Sequence, residues 1–195
     1  MDHQSIIENI NKHIVLSEHE LLIFQSRLKK KKIDRKSCLL TQGQLCEYIY
    51  FVESGALRAF YLDESGKEST IMFAVKDWWV TDMYFFINQK PAMLTIEAIE
   101  DSLVYQLKKS DLDDLYVAVP QFEKLFRILM QNAYIREQLR VIENLSLPAE
   151  QRYDIFIKKY PKVALKVKQK QIASYLGITA EFLSMIKNKK AKDLK

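Results

Sequence analysis

Residues 169–186 read Gln169-Lys170-Gln171-Ile172-Ala173-Ser174-Tyr175-Leu176-Gly177-Ile178-Thr179-Ala180-Glu181-Phe182-Leu183-Ser184-Met185-Ile186. Ile172, Ala173 and Leu176 fall on the inner face of a first helix, and Ala173 is small where a second helix must cross closely. Gly177 suits the left-handed conformation at a turn, Ile178 plugs the corner, and Thr179 is placed to cap the second helix. Leu183 and Ile186 then face inward, while Ala180, Glu181, Ser184 and Lys187 face out. Apolar spacing of this kind fits any pair of helices joined by a short turn. The small alanine, the turn glycine, the capping threonine and the neighbouring Lys168, Lys170, Lys187, Lys189 and Lys190 narrow it to a helix-turn-helix.

Charge is distributed to match. The whole chain carries a net charge of only +5, but residues 147–195 hold 12 Lys/Arg against 4 Asp/Glu, leaving 18 against 21 for residues 1–146. Clustered lysines are rewarded by a polyanion, because neutralising phosphates releases counterions. Double-stranded DNA is therefore the expected partner, with Lys168 and Lys170 on phosphates, Thr179 capping the second helix, Ala180, Glu181 and Ser184 facing base edges, and Lys187 a further polar reader.

Upstream, Leu147-Pro148 interrupts a long helical pattern, and Pro148-Ala149-Glu150 can begin another helix that Pro161 ends. Between Pro120 and Leu147, Phe122, Leu125, Phe126, Leu129, Met130, Ala133, Leu139, Ile142 and Leu145 recur at spacings of mostly three and four. The stripe spans roughly 36 Å at ~1.5 Å per residue, long enough to suggest a second copy of itself as partner. An ordinary core helix would share the pattern.

From residue 33 to 108 the texture is short β-type runs, at residues 37–40, 48–52, 56–62, 69–74, 93–98 and 103–107. Asp63-Glu64-Ser65-Gly66-Lys67 reads as a hairpin loop between two of them. Several short strands at this spacing predict a β-barrel or roll. Before them, Ser17 and Glu20 form a capping box for a short helix reaching about residue 28. The segment boundaries follow: a β-roll with flanking helices over 1–119, a dimerisation helix over 120–146, and a helix-turn-helix domain over 147–195.

Composition bounds the chemistry. The 195 residues are 48% hydrophobic, ordinary for a folded chain, and no run approaches the ~20 apolar residues of a membrane helix. A cytoplasmic protein is expected. Cys38 and Cys46 form no CxxC pair, and His3, His13 and His19 all lie near the start, so no metal site and no cofactor are expected. A double-stranded β-helix can also house a metal-dependent oxygenase, but such sites commonly rest on histidines, and none stands after His19. The chain is not expected to be an enzyme.

The order of elements resembles the Crp/Fnr family of regulators, in which a cyclic-nucleotide-binding-like β-roll precedes a long dimer helix and a C-terminal winged helix-turn-helix. In the roll the resemblance rests on Tyr48-Ile49-Tyr50-Phe51-Val52-Glu53-Ser54-Gly55-Ala56-Leu57-Arg58, and in the motif on Gln171-Ile172-Ala173-Ser174-Tyr175-Leu176-Gly177-Ile178-Thr179. It implies an α+β fold with an antiparallel β-roll, a double-stranded β-helix, and a signal in the roll that repositions the DNA-binding helices. It also leaves room for a small-molecule effector and for contact with RNA polymerase.

Departures from the family are equally informative. Members that bind cyclic nucleotides carry a Gly-Glu pair and, some ten residues on, an Arg followed by Ser or Thr; the corresponding places here hold Thr81-Asp82 and Ala92-Met93. An anionic phosphate loses a strong charge-assisted contact without that guanidinium, so cyclic AMP is not the expected ligand. Trp78, Trp79, Met83, Tyr84, Phe85, Phe86 and Met93 fill the region. They either line an apolar ligand pocket with Thr81, Asp82 and Ala92 or close it into core. Many relatives also place Arg where this chain has Ala180 and Met185, so the family's operator does not carry over, and a protein-interaction module that has lost DNA binding is the competing reading.

Overall fold

The short β-type runs assemble into two antiparallel sheets. A computed structural model describes residues 3–193. Its elements are α1 (Gln4–Asn11), α2 (Glu18–Arg27), β1 (Lys29–Ile33), β2 (Cys38–Leu40), β3 (Tyr48–Ser54), β4 (Ala56–Leu62), β5 (Glu68–Val75), β6 (Trp79–Val80), α3 (Met83–Asn88), β7 (Leu94–Ala98), β8 (Ser102–Lys108), α4 (Lys109–Ala118), α5 (Gln121–Ser146), α6 (Ala149–Lys159), α7 (Pro161–Ala164), α8 (Gln169–Leu176) and α9 (Ala180–Asp193). One sheet has the order β1-β8-β3-β6 and the other β2-β7-β4-β5. Ile49, Phe51, Leu57, Ile96, Val104 and Leu107 belong to their common core, which α4 and the start of α5 join through Leu112, Leu115, Phe122 and Leu125.

Local chemistry explains the boundaries. The capping box at α2 is formed, with Glu20 N donating to Ser17 Oγ and Ser17 N donating to Glu20 Oε2. The loop after β4 closes as Asp63 Oδ1 accepts from Ser65 and from Lys67 N, which holds the Asp63 carboxyl below the usual carboxylate range. Gly55, between β3 and β4, has φ +91°, and a Cβ there would collide with Ser102. That single position sets how closely β8 approaches the β3–β4 turn.

Between residues 29 and 108, three elements lie outside the expected runs. β1 is Lys-Lys-Lys-Lys-Ile, polar and without alternation; its pairing with Ser102–Lys108 makes it a strand, and as an edge strand it keeps all four lysines exposed. β6 is two residues long, and α3 is a six-residue helix inside the aromatic segment.

Helix α5 begins after Pro120 and ends before Leu147, whose backbone is extended. The apolar stripe divides along its length. Phe122, Leu125 and Phe126 are buried in the roll's core, whereas Ile135, Leu139, Ile142 and Leu145 are 51–83% exposed in the single chain.

The helical segment after Pro148 shares a second core with the roll. Phe156, Tyr160, Val163, Ile172, Ala173, Leu176 and Leu183 pack with Ala56, Phe73 and Ile99. Phe73 sits among Phe156, Tyr160 and Tyr175 at centroid distances of 5.4–5.9 Å. Among the described residues no strand follows β8, so the strands of a wing, implied by the resemblance, are not formed there; α9 runs on through a lysine-rich sequence with helical propensity.

Candidate nucleic-acid interface

Helices α8 and α9 build the motif as its sequence implies. Ile172, Ala173 and Leu176 are buried on α8; Gly177 ends it at φ +67°, with its N–H on the carbonyls of Ala173 and Ser174. Thr179 Oγ1 accepts from Phe182 N at 3.1 Å, a side-chain cap on the next helix. Leu183 and Ile186 are buried, which fixes the rotation of α9 and turns the opposite face outward.

On that outward face Glu181 and Lys187 are exposed, while Ala180 and Ser184 are half-buried. Ala180 also accepts through its carbonyl from Gln169 Nε2. Lys168 and Lys170 are exposed at the start of α8. The seven residues Lys168, Lys170, Thr179, Ala180, Glu181, Ser184 and Lys187 thus lie on α8, α9 and the turn that joins them. Two apolar side chains share the surface of α9: Phe182 at 46% and Met185 at 65% exposure.

Contacts that the sequence did not reveal anchor the motif to the rest of the chain. Ser174 Oγ donates to the Glu68 carbonyl and accepts from Thr70 N, so α8 caps the edge strand β5. Arg140 on α5 donates to the Ile71 carbonyl, and its guanidinium lies 5.5 Å from the Tyr175 ring. Arg152 on α6 donates to Asn144 Oδ1 and to the Leu176 carbonyl, occupying the C-terminal end of α8 where helical carbonyls lack partners. Burial pushes the Tyr160 and Tyr175 phenols up, and lowers Lys159 with help from Arg136. No sequence pattern encodes these partners, because most lie tens of residues away.

The second candidate site, in the roll, is crossed by hydrogen bonds among its own residues. Asp82 is buried, and its Oδ2 accepts from Met93 N and Leu94 N, both at 2.9 Å. Thr81 Oγ1 donates to the Tyr48 carbonyl and lies 3.4 Å from Cys46 Sγ. Trp79 packs at a steep tilt against Phe51 and Phe126 and donates from Nε1 to Asn9 Oδ1. Ala92 is buried, Met83 packs on the core, and Met93 is about half exposed.

Residues 30–118 match the family model of the cyclic nucleotide-binding domain. Over 186 residues the chain is 26% identical to the regulatory protein HlyX of Actinobacillus pleuropneumoniae, covering 88% of this chain and 75% of that one. The chain is similar to regulators of the Crp/Fnr family. Its relatives are regulators, not enzymes. Among solved structures, FixK2 from Bradyrhizobium japonicum superposes at TM-score 0.74 and 18% identity, covering 85% of each chain. The c-di-GMP responsive global regulator CLP of Xanthomonas campestris superposes at 0.72 and 12% identity, covering 91% of this chain and 93% of that one. Ala92-Met93 stand where the resemblance implies a phosphate-binding Arg, and Asp82 accepts from two backbone amides. No helix among the described residues is long and apolar enough to cross a membrane.

Proposed function

We propose that this Crp/Fnr-like protein is a homodimeric, sequence-specific DNA-binding transcription regulator whose cyclic-nucleotide-type pocket is closed to cyclic AMP. The observation that carries the reading is the motif's geometry: a capped, outward-facing α9 with Glu181 and Lys187 exposed, next to exposed lysines that begin α8. Helix N-termini and lysines hold phosphates, while side chains along the second helix meet base edges in the major groove. Glu181 is suited to accept from a cytosine amino group, and Lys168 and Lys170 to neutralise the backbone.

Dimerisation through residues 120–146 is supported by the exposed stripe Ile135, Leu139, Ile142 and Leu145 on α5, since apolar residues at helical spacing are stabilised by a facing copy. Two motifs on one dimer would meet half-sites about one helical turn apart. The functional division is then 1–119 for the roll, 120–146 for the dimer helix and 147–195 for DNA, with RNA polymerase as the machinery acted upon and the cytoplasm as its place. Closure of the roll's pocket is supported by Asp82, whose carboxylate already satisfies two backbone amides, and by Trp79 within the aromatic core.

Binding to a duplex, measured across salt concentrations, tests the reading. Several phosphate contacts predict log affinity falling linearly with log salt, and Glu181→Ala is expected to relax sequence preference with little change in overall affinity. Exposed Phe182 and Met185 favour one competitor, a protein-interaction module. That reading gains if duplex binding is absent at low salt, or if Glu181→Ala weakens all sequences equally.

A further inference from the structure

Helix α9 turns a mixed surface outward. With Leu183 and Ile186 buried, a rotation of ~100° per residue places Glu181, Ser184, Met185 and Asn188 together on the opposite side of the helix. Glu181 and Asn188 are exposed there, and Met185 is 65% exposed although its side chain is apolar. Phe182 lies at the edge of that face, its backbone N–H held by Thr179 Oγ1 at 3.1 Å. Around this surface Lys168, Lys170, Lys187 and Lys192 are all exposed.

An exposed methionine contributes little to the fold, and its thioether donates no hydrogen bond, so it is not equipped for the bidentate contacts that select guanine or adenine. The major groove offers one apolar group, the C5-methyl of thymine, and a flexible thioether side chain adapts to its position. The surrounding lysines decide between a protein partner and a duplex. An apolar protein surface gives those cations no counter-charge, whereas a duplex supplies phosphates on both sides of the groove. We propose that Met185 is a specificity-determining residue that reads a thymine methyl group in the major groove. The assignment rests on the DNA-binding reading above and names base chemistry that reading leaves open. Glu181 and Met185 stand ~6 Å apart along α9, at ~1.5 Å per residue, so the thymine falls within about two base pairs of the cytosine that Glu181 meets. An arginine at this position would select guanine instead.

Deoxyuridine tests this, because it differs from thymidine by that methyl group alone. The full chain is titrated by fluorescence anisotropy, at low salt, with a duplex enriched from a randomised library, and each thymidine is replaced in turn at the matching positions of both half-sites. At one thymine per half-site the replacement is expected to weaken binding about fourfold for each half-site, the equivalent of one methyl group's burial. Met185→Ala should bind the thymine duplex more weakly than the parent, keep the parent's thermal midpoint and salt dependence, and respond to deoxyuridine by less than about twofold. Val117→Ala, which trims an 85%-exposed side chain on α4, should keep the parent's affinity and its full deoxyuridine penalty. An enriched half-site without thymine, a duplex indifferent to deoxyuridine at every position, or an equal penalty in the parent and Met185→Ala overturns the assignment while duplex binding itself stands. If no duplex is retained at low salt, the DNA-binding reading falls and the assignment falls with it.

Discussion

Replacing Asp82 separates a structural carboxylate from a ligand-binding one. Its Oδ2 accepts from Met93 N and Leu94 N at 2.9 Å, and the side chain is buried at 6% exposure. Hydrogen bonds to a charged group contribute ~1.5–3 kcal/mol each. Because Met93 is 49% exposed, water can reach part of the vacated space, and the lower end of that range applies. Asp82→Ala should therefore cost about 3 kcal/mol, which for a chain of this size lowers the thermal midpoint by roughly 6–12 °C. Asp82→Asn keeps an acceptor but loses its charge, and should cost about half as much. Urea denaturation of the parent and both variants, with and without millimolar cyclic AMP, is the assay. Cyclic AMP should stabilise none of the three, since a ligand raises stability only by binding the folded state. Stabilities within about 0.5 kcal/mol of the parent for both variants, or a cyclic AMP-dependent rise in the parent that Asp82→Ala abolishes, would refute the reasoning.

Other consequences are equally direct. Gly55→Ala puts a Cβ into Ser102 at φ +91°, and backbone strain plus overpacking should cost about 3 kcal/mol, read as a shift in the denaturation midpoint. Leu139→Ala removes a side chain that is 53% exposed in the single chain; burying that half in a dimer is worth ~1 kcal/mol per protomer, so dissociation measured by sedimentation should strengthen about 30-fold. No change in the dimer constant would place the interface elsewhere. Burial raises the Cys46 thiol, and the side chain is 1% exposed, so iodoacetamide at neutral pH should label Cys46 only on unfolding; mass spectrometry of the native protein should find any modification at exposed Cys38.

Much of the fold is legible in sequence because its signals are local. The six β-type runs all correspond to strands with ends displaced by no more than two residues, since each is bounded by turn residues and rich in apolar side chains. The Ser17 capping box, the Asp63–Lys67 loop, the Gly177 turn and the Thr179 cap each depend on atoms within a few residues of one another. What escaped depends on distant partners. Four lysines make no strand by propensity, and β1 exists because β8 offers an edge. The apolar periodicity of α5 is continuous in sequence, yet the roll claims Phe122 to Leu129 and leaves Leu139, Ile142 and Leu145 exposed. Arg58 reads as an ordinary strand residue, but two carboxylates from β5 and β7 make it a buried ion-pair centre. Ser174 looked like one more polar residue on a recognition motif; its bonds go to a strand more than 100 residues away. Asp82, which the sequence places either in a pocket lining or in core, accepts from the backbone amides of Met93 and Leu94 about ten residues on.

The most direct test of the regulatory account is selection of duplexes from a randomised library by the full chain, at low and moderate salt, with and without cyclic AMP. The account predicts recovery of a two-fold symmetric motif with half-sites about one helical turn apart, bound more weakly at moderate salt and unchanged by cyclic AMP. Failure to retain any duplex at low salt, or retention without an enriched motif, would contradict it.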